Sequence, residues 1–249
     1  MSPERAAFFV ADAHLGQGTE ASNRERERDL LAFFDHVGAS GSALYVNGDL
    51  FDFWFEYRHA IPKRYVRVLM ALGELRRHGL PVMYVGGNHD FWIGDYLRRE
   101  LDVSFTDQPL DLRLHGRRIL LAHGDGLGPG DAGYKMLKAV LRHPLSRWCY
   151  RWLHPDIGIP LATGSSHTSR NHAPRRARTE EELEASLALP FYGRGFDAVI
   201  LGHYHRAMHR HADGRDFLIL GDWIEGRSVL RLEAGTFSLL ERAPGLGAP

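Results

Sequence analysis

Aspartate, asparagine and histidine gather in five short clusters: DAH at 12–14, GDLFD at 48–52, GNHD at 87–90, HGD at 123–125 and GHYH at 202–205. Carboxylate, amide and imidazole donors together suit divalent manganese, iron or zinc, and the single cysteine, Cys149, argues against a sulfur-rich structural site. Asp12, His14, Asp49, Asn88, His123, His203 and His205 make seven candidate ligands, more than one four-coordinate ion needs and enough for two ions that share a carboxylate. Asp49 is the expected bridge, because it follows an apolar run directly and lies in the middle of the pattern. Two ions about 3.5–4 Å apart activate water and neutralise phosphate oxygens during in-line attack, so the chemistry expected is phosphoester hydrolysis. Taken singly the clusters say little: a lone Asp-x-His is mostly a turn, and His203 and His205 read equally as alternate residues of a strand. Their ordered recurrence carries the argument.

Each cluster comes within a residue or two of a run with strand character. The runs at 7–11, 43–47 and 81–86 are almost continuously apolar, as expected of parallel strands covered on both faces. Between them lie a charged helical stretch at 24–37, with Leu30, Phe33, Phe34 and Val37 at helical spacing, and a second at 62–78 with Pro62 as its N1 residue and Gly79 at its end. The early chain therefore reads βαβαβ. Runs at 110–114 and 117–122 flank a His-Gly turn, and short strands at 198–201, 217–220, 229–232 and 237–240 are joined by turn sequences. An α/β front and a β-rich tail predict two sheets packed together with helices outside. In such folds ligands collect beyond the carboxyl ends of strands, where separate segments converge on one crevice.

The stretch 126–190 fits neither pattern. Up to residue 178, Lys135, Lys138, Arg142, Arg147, Arg151, Arg170, Arg175, Arg176 and Arg178 face only Asp131 and Asp156, interleaved with Tyr134, Leu137, Val140, Leu141, Leu145, Trp148, Tyr150, Trp152 and Leu153. A basic, aromatic, amphipathic insertion of this kind is expected as a helical cap over the site, within a single domain spanning 1–249; the bland reading is a solvated helical hairpin with snorkelling arginines. With 249 residues, 44% of them apolar and 25% charged, the chain has the proportions of an enzyme-sized globular domain. Lys plus Arg and Asp plus Glu balance at 31 each, so nothing in the overall charge calls for nucleic acid. The one cysteine is compatible with a reducing compartment, the N-terminal apolar run is too short for a signal peptide, and no run approaches the roughly 20 apolar residues that would span a bilayer.

The ordered clusters resemble those of the calcineurin-like metallophosphoesterases over about residues 7–240. The resemblance implies a four-layer αββα sandwich with a binuclear centre: one ion held by Asp12, His14, Asp49 and His205, the other by Asp49, Asn88, His123 and His203, most simply manganese, with iron or zinc as alternatives. It also implies that His89 orients phosphate or assists the leaving group, beside Asn88, and that Asp90 holds His89 in the useful tautomer. Within that family the chain is similar to the UDP-2,3-diacylglucosamine hydrolases of the lipid A pathway, on GDLFDFW at 48–54, GNHDFWIG at 87–94, HGDGLGPGDAGY at 123–134 and the basic aromatic insertion. That similarity implies cleavage of a sugar-nucleotide diphosphate to UMP and 2,3-diacylglucosamine 1-phosphate. Asp131 and Tyr134 would line the nucleotide side, the loop at 164–172, with Ser166, Thr168, Ser169 and Arg170, would contact uridine or phosphate, and apolar residues of the insertion would take the acyl chains. The chain departs from many such hydrolases in having His89 where they carry arginine and GHYH where they carry GHTH; Arg170, Arg175, Arg176 or Arg178 are candidates to restore the missing charge.

Two further expectations concern surroundings. A soluble enzyme that extracts a two-chain lipid gains from docking near it, so the insertion is expected to touch an anionic membrane peripherally, with Trp148 and Trp152 at the interface, from the cytoplasmic face of an inner membrane. The competing readings are another binuclear phosphodiesterase or phosphatase acting on nucleotides or phosphoproteins, and a noncatalytic metal-binding scaffold of the same shape.

Overall fold

The first apolar runs become β1 (Ala7–Val10), β2 (Ala43–Asn47) and β3 (Val82–Val85) of the computed structural model, which describes residues 5–128, 132–170 and 179–246. They pair in parallel, Phe9 beside Tyr45 and Tyr45 beside Met83. Helix α1 (Glu20–Ser40) starts earlier than the apolar spacing suggests, because Thr19 caps it by accepting from the amide of Ser22. Helix α2 (Val66–Arg77) follows a single 3-10 turn, Lys63–Tyr65, and Pro62 precedes that turn instead of opening the helix.

Next come α3 (Tyr96–Leu101), β4 (Ser104–Thr106), β5 (Leu110–Leu114) and β6 (Arg117–Ala122). β5 and β6 form the expected hairpin, with Leu112 opposite Ile119. The insertion contributes α4 (Ala132–Arg142), α5 (Pro144–Arg151) and α6 (Pro155–Arg170), followed by α7 (Glu180–Leu187) and α8 (Leu189–Tyr192). Residues 164–170, expected as a loop, continue α6 to Arg170: polar side chains do not interrupt a helical backbone already nucleated from Pro155. The chain ends in β7 (Ala198–Leu201), β8 (Ala207–Ala212), β9 (Arg215–Leu220), β10 (Val229–Glu233) and β11 (Thr236–Leu240). β8 escaped the sequence reading because it is an edge strand, in which only Met208 is buried among polar neighbours.

Among the described residues the strands form two sheets, β11-β10-β1-β2-β3-β4 and β5-β6-β7-β9-β8. Phe9, Tyr45, Ile119, Leu121, Ile200, Leu218 and Leu230 fill the space between them. Leu30, Phe33, Phe34 and Leu72 of α1 and α2 cover the first sheet, and Leu183, Leu187 and Tyr192 of α7 and α8 cover the second, giving αββα layering. The 126–190 stretch thus divides: α7 and α8 belong to an outer layer, whereas α4–α6 pack on an aromatic cluster, Phe53, Phe55 and Trp92, carried by the loops after β2 and β3.

Candidate metal centre

The carboxyl ends of β1, β2, β3, β6 and β7 open onto one edge of the sandwich, and the two sheets are stitched together there. Asn47 donates its amide to the carbonyl of Ala122 at 2.8 Å, and the His203 amide donates to Asp12 Oδ2 at 2.9 Å. Five candidate ligands lie in the left-handed backbone region: Asp12, His14, Asp49, His203 and His205, with φ of 53°, 41°, 52°, 67° and 52°. Such residues cost on the order of 1–3 kcal/mol each and persist only where their surroundings over-determine them. That restraint comes from neighbouring loops: Asp12 N donates to Gly48 O at 3.1 Å, His14 N to Asp49 O at 2.9 Å, and His89 N to Asp49 Oδ1 at 2.8 Å. His203 and His205 accordingly sit in the turn before β8, not on a strand. Two glycines leave the room this needs: a β-carbon on Gly87 would stand 2.1 Å from Asp49 Oδ1, and one on Gly48 2.3 Å from His123 Nδ1.

Three groups of donor atoms converge: Asp12, His14 and His205; His14, Asp49 and His89; Asp49, His123 and His203. Asp12 Oδ1 is wholly buried with no hydrogen-bond partner, and faces His14 Nε2 at 3.6 Å and His205 Nε2 at 3.7 Å. Asp49 Oδ2 faces His123 Nε2 at 3.3 Å and His14 Nε2 at 3.8 Å. Asn88 Oδ1 lies 2.8 Å from His203 Nδ1 and 3.1 Å from His123 Nε2. With metal bonds of about 2.1 Å, adjacent ligand atoms stand roughly 3.0–3.4 Å apart; the carboxylate–imidazole spacings of 3.3–3.8 Å are long for direct hydrogen bonds and close to that range, whereas the two Asn88 contacts are of hydrogen-bond length. The two clusters, with Asp49 between them, are consistent with a binuclear divalent centre.

The protonation states of Asp49, His14 and His203 suit that role, whereas His123, which Asp49 raises well above the ordinary imidazole range in spite of burial, and His205 would give up a proton on binding an ion. Burial would raise the Asp49 carboxyl, but His123, His89 and His14 around it hold it well below the ordinary carboxylate range, so it stays anionic. Burial lowers His14, and burial together with the neighbouring His123 pushes His203 down to about 4, keeping both imidazoles neutral and able to donate a lone pair. Burial also pulls His205 down, yet Asp222 and Asp12 prevail and raise it. Asp222 Oδ2 lies 3.4 Å from His205 Nδ1 and orients the ring.

A profile of the calcineurin-like phosphoesterases matches residues 7–207 of this chain. The chain belongs to that family. Relatives named UDP-2,3-diacylglucosamine hydrolase from Porphyromonas gingivalis and Stenotrophomonas maltophilia are 33% and 31% identical, each alignment covering 93% of this chain and 95% and 96% of the relative. A third of that name, from Edwardsiella ictaluri, is 29% identical over 95% of this chain and 92% of its own. The clustered His and Asp side chains of the phosphoesterase form a metal-dependent hydrolytic site.

One expected partnership in the phosphoesterase is corrected. Asp90 does not stand behind His89: its carboxylate turns into the core, accepting from Leu50 N at 3.0 Å, Gly87 N at 2.8 Å and the hydroxyl of Tyr84. Burial and the adjacent Asp49 raise it to about 6. The residue behind His89 is Asp52, whose carbonyl accepts from Nδ1 at 2.9 Å and whose carboxylate lies 3.7 Å from Nδ1 of both His89 and His14. Asp52 was legible as the last residue of GDLFD; Asp222 was hidden in what read as a turn, GDWIEG.

The helices α4–α6 of the phosphoesterase approach the site from one side. Trp92 Nε1 donates to Leu141 O at 3.0 Å, Lys138 pairs with Asp125 Oδ2 at 2.6 Å, and Arg142 reaches Gly87 O at 3.4 Å while covering the Phe91 ring. Leu137, Lys138, Leu141 and Arg142 share a cavity of about 80 Å³ with Asn88, Phe91 and Asp125. Val140, Leu145, Trp148 and Trp152 are exposed, the last by 75%. Asp131, Arg175, Arg176, Arg178 and the side chains of Tyr134, Ser166, Thr168, Ser169 and Arg170 lie outside the described residues. No described helix is long and apolar enough to cross a membrane.

Proposed function

We propose that this phosphoesterase hydrolyses the diphosphate of UDP-2,3-diacylglucosamine, giving UMP and 2,3-diacylglucosamine 1-phosphate. The observation that carries the reading is the cavity where Asn88 of the metal cluster meets the apolar Leu137 and Leu141 and the cationic Lys138 and Arg142. An acylated sugar nucleotide needs that conjunction of phosphate-binding charge and apolar surface; a phosphoprotein or a soluble nucleotide does not. The names of the relatives point the same way.

Asp12, His14, Asp49 and His205 would hold one ion and Asp49, Asn88, His123 and His203 the other, with manganese the simplest occupant of this oxygen and nitrogen set and iron or zinc the alternatives. When bound, the ions supply Lewis acidity towards phosphoryl oxygens and an activated water. The chain supplies the rest. His89 donates Nδ1–H to the carbonyl of Asp52, which fixes the ring and leaves Nε2 to exchange a proton with, or donate to, the reacting phosphate or its leaving group. Lys138 and Arg142 stand where positive charge at the rim would receive the second phosphate. In this reading Asp131 and Tyr134 line the nucleotide side, and residues 164–172, with Ser166, Thr168, Ser169 and Arg170, contact uridine or phosphate.

Exposed Met136, Val140, Leu145, Trp148, Trp152, Ile157 and Leu161, interspersed with Lys135, Arg147 and Arg151, support a peripheral contact of α4–α6 with an anionic membrane surface, which we place on the cytoplasmic face. Incubation with UDP-2,3-diacylglucosamine, manganese and ¹⁸O-water, followed by mass spectrometry of both products, tests the reaction. Label in UMP is expected, from attack on the nucleotide-side phosphorus. Label only in the lipid phosphate would reverse the bond assignment, and an intact lipid beside rapid hydrolysis of a soluble phosphodiester would replace this substrate with another.

A further inference from the structure

The buried stripe of α1 runs through Leu30, Phe33, Phe34 and Val37, and its next member towards the N-terminus is an arginine. Arg26 is only 3% exposed. A guanidinium in a core position is expensive unless its donors are used, and both terminal nitrogens of Arg26, though not its Nε, donate to main-chain carbonyls of the loop after β1. Nη1 donates to Ala13 O at 3.1 Å and His14 O at 2.7 Å, and Nη2 to Gln17 O at 3.2 Å.

The choice of carbonyls matters. Ala13 C=O belongs to the peptide plane before the His14 α-carbon and His14 C=O to the plane after it, so one nitrogen grips both planes and restrains both soft torsions of His14. That residue needs restraint, because its φ of 41° is a conformation that a histidine does not hold unaided. One turn away on the same face of α1, Asn23 accepts from Gly16 N at 2.6 Å and donates to Gln17 O at 2.8 Å, so the first turns of the helix form a template for the loop from 13 to 17. The His14 ring is thereby held stacked on His205, centroids 5.0 Å apart, with Nε2 towards Asp12 and Asp49.

We propose that Arg26 is a positioning residue for the Asp12–His14–His205 side of the centre, acting through the backbone of His14 and touching neither ion nor substrate. The inference rests on the two-ion reading above. It predicts an asymmetry: loss of the guanidinium loosens one ion position and spares the one built from Asn88, His123 and His203, which Arg26 does not contact.

The test titrates Mn²⁺ into metal-stripped wild type, Arg26→Met and Arg26→Lys by calorimetry, alongside melting temperature and turnover of bis-p-nitrophenyl phosphate. Two equivalents are expected in the wild type. In Arg26→Met one equivalent should weaken at least tenfold and the other stay within threefold, kcat should fall more than KM changes, and added guanidinium should restore part of the lost affinity. Arg26→Lys, which keeps the charge but not the fork, should fall between and guards against a Met variant that does not fold. Unchanged affinity for both equivalents would overturn the inference. So would equal weakening of both in step with the melting temperature, which is what a merely structural arginine would give. A wild type that binds fewer than two equivalents would overturn the two-ion reading, and this inference with it.

Discussion

Asp12, His14, Asp49 and His123 are buried at strand ends, in backbone conformations fixed by bonds from loop to loop, whereas α4–α6 hold Met136, Leu145, Trp148, Trp152, Ile157 and Leu161 out in solvent. The helices touch the body of the molecule mainly through Leu141, Tyr150, Ile159 and Ala162 on the Phe53, Phe55 and Trp92 cluster, with the Lys138 and Arg142 contacts beside it. The contrast separates two tasks. A reacting centre must be preorganised, so it is paid for in strained backbone and buried charge; a surface with the role proposed for α4–α6, receiving a long flexible lipid, would gain more from apolar area than from precision, and can stand outside the core.

Breaking the buried ligand set should cost most. Asp49→Ala removes the carboxylate shared by two donor groups and should lower turnover by on the order of 10³-fold or more. Elemental analysis of protein repurified from excess manganese should show the content fall from two ions to one or fewer. Retention of two ions with normal turnover would remove Asp49 as the bridge.

His89→Ala distinguishes roles within the buried site. His89 should act on the reacting phosphate, so kcat should fall by roughly 10²-fold with both ions retained. Asp52→Asn, which disturbs only the group behind His89 and His14, should cost roughly tenfold. Steady-state kinetics with parallel metal analysis checks both. Metal lost in proportion to activity would make His89 a ligand, consistent with its place in the His14–Asp49 donor group.

Helices α4–α6 should break differently. Replacing Trp148 and Trp152 together with serine should reduce sedimentation with anionic vesicles several-fold and raise KM for the lipid substrate, while hydrolysis of a small soluble diester stays within about twofold. Equal loss on both substrates would mean that these tryptophans support the site instead of the membrane contact.

How far each region was legible in the sequence follows the same division. The ends of β1, β2 and β3 could be read because a parallel strand covered on both faces is a plain apolar run and its ligands follow at once in sequence. β8 could not, because His209 and His211 on an edge strand look like a loop. Asp90 was misread for a reason specific to turns: the side chain next to His89 in sequence points away from it, and the true neighbour, Asp52, comes from a different loop. Arg26 was invisible because nothing in a run of charged residues marks the one that the helix turns inward. In α4–α6 the amphipathic pattern announced helices, yet which face meets the site depends on the Trp92 and Asp125 contacts, made by residues far away in the chain.

The smallest expected effect sharpens the comparison by lying in neither region. Asp216 is the second residue of the second sheet's β9, at the end away from the ligand loops, buried beneath Arg117 of β6 and His209 and His211 of β8, both of whose rings meet Oδ1, at 2.8 and 2.9 Å. Burial alone would raise its carboxyl; hydrogen bonds from His209, His211 and Arg117 overcome this and bring it down from an ordinary 3.8 to about 2. A carboxyl lowered in the folded state stabilises above its unfolded value and ceases to do so as pH falls through the folded one. The contribution, about 2 kcal/mol at neutral pH, should therefore be intact above pH 5, roughly halved near pH 3 and gone below about pH 2. Asp216→Asn should melt several degrees below wild type at pH 7, with the gap narrowing as pH drops from 5 to 3, while metal content and kcat at pH 7 remain those of the wild type. A gap independent of pH would mean that Asp216 contributes through packing and not through its charge, and metal loss in this variant would show the two ends of the sheet to be coupled.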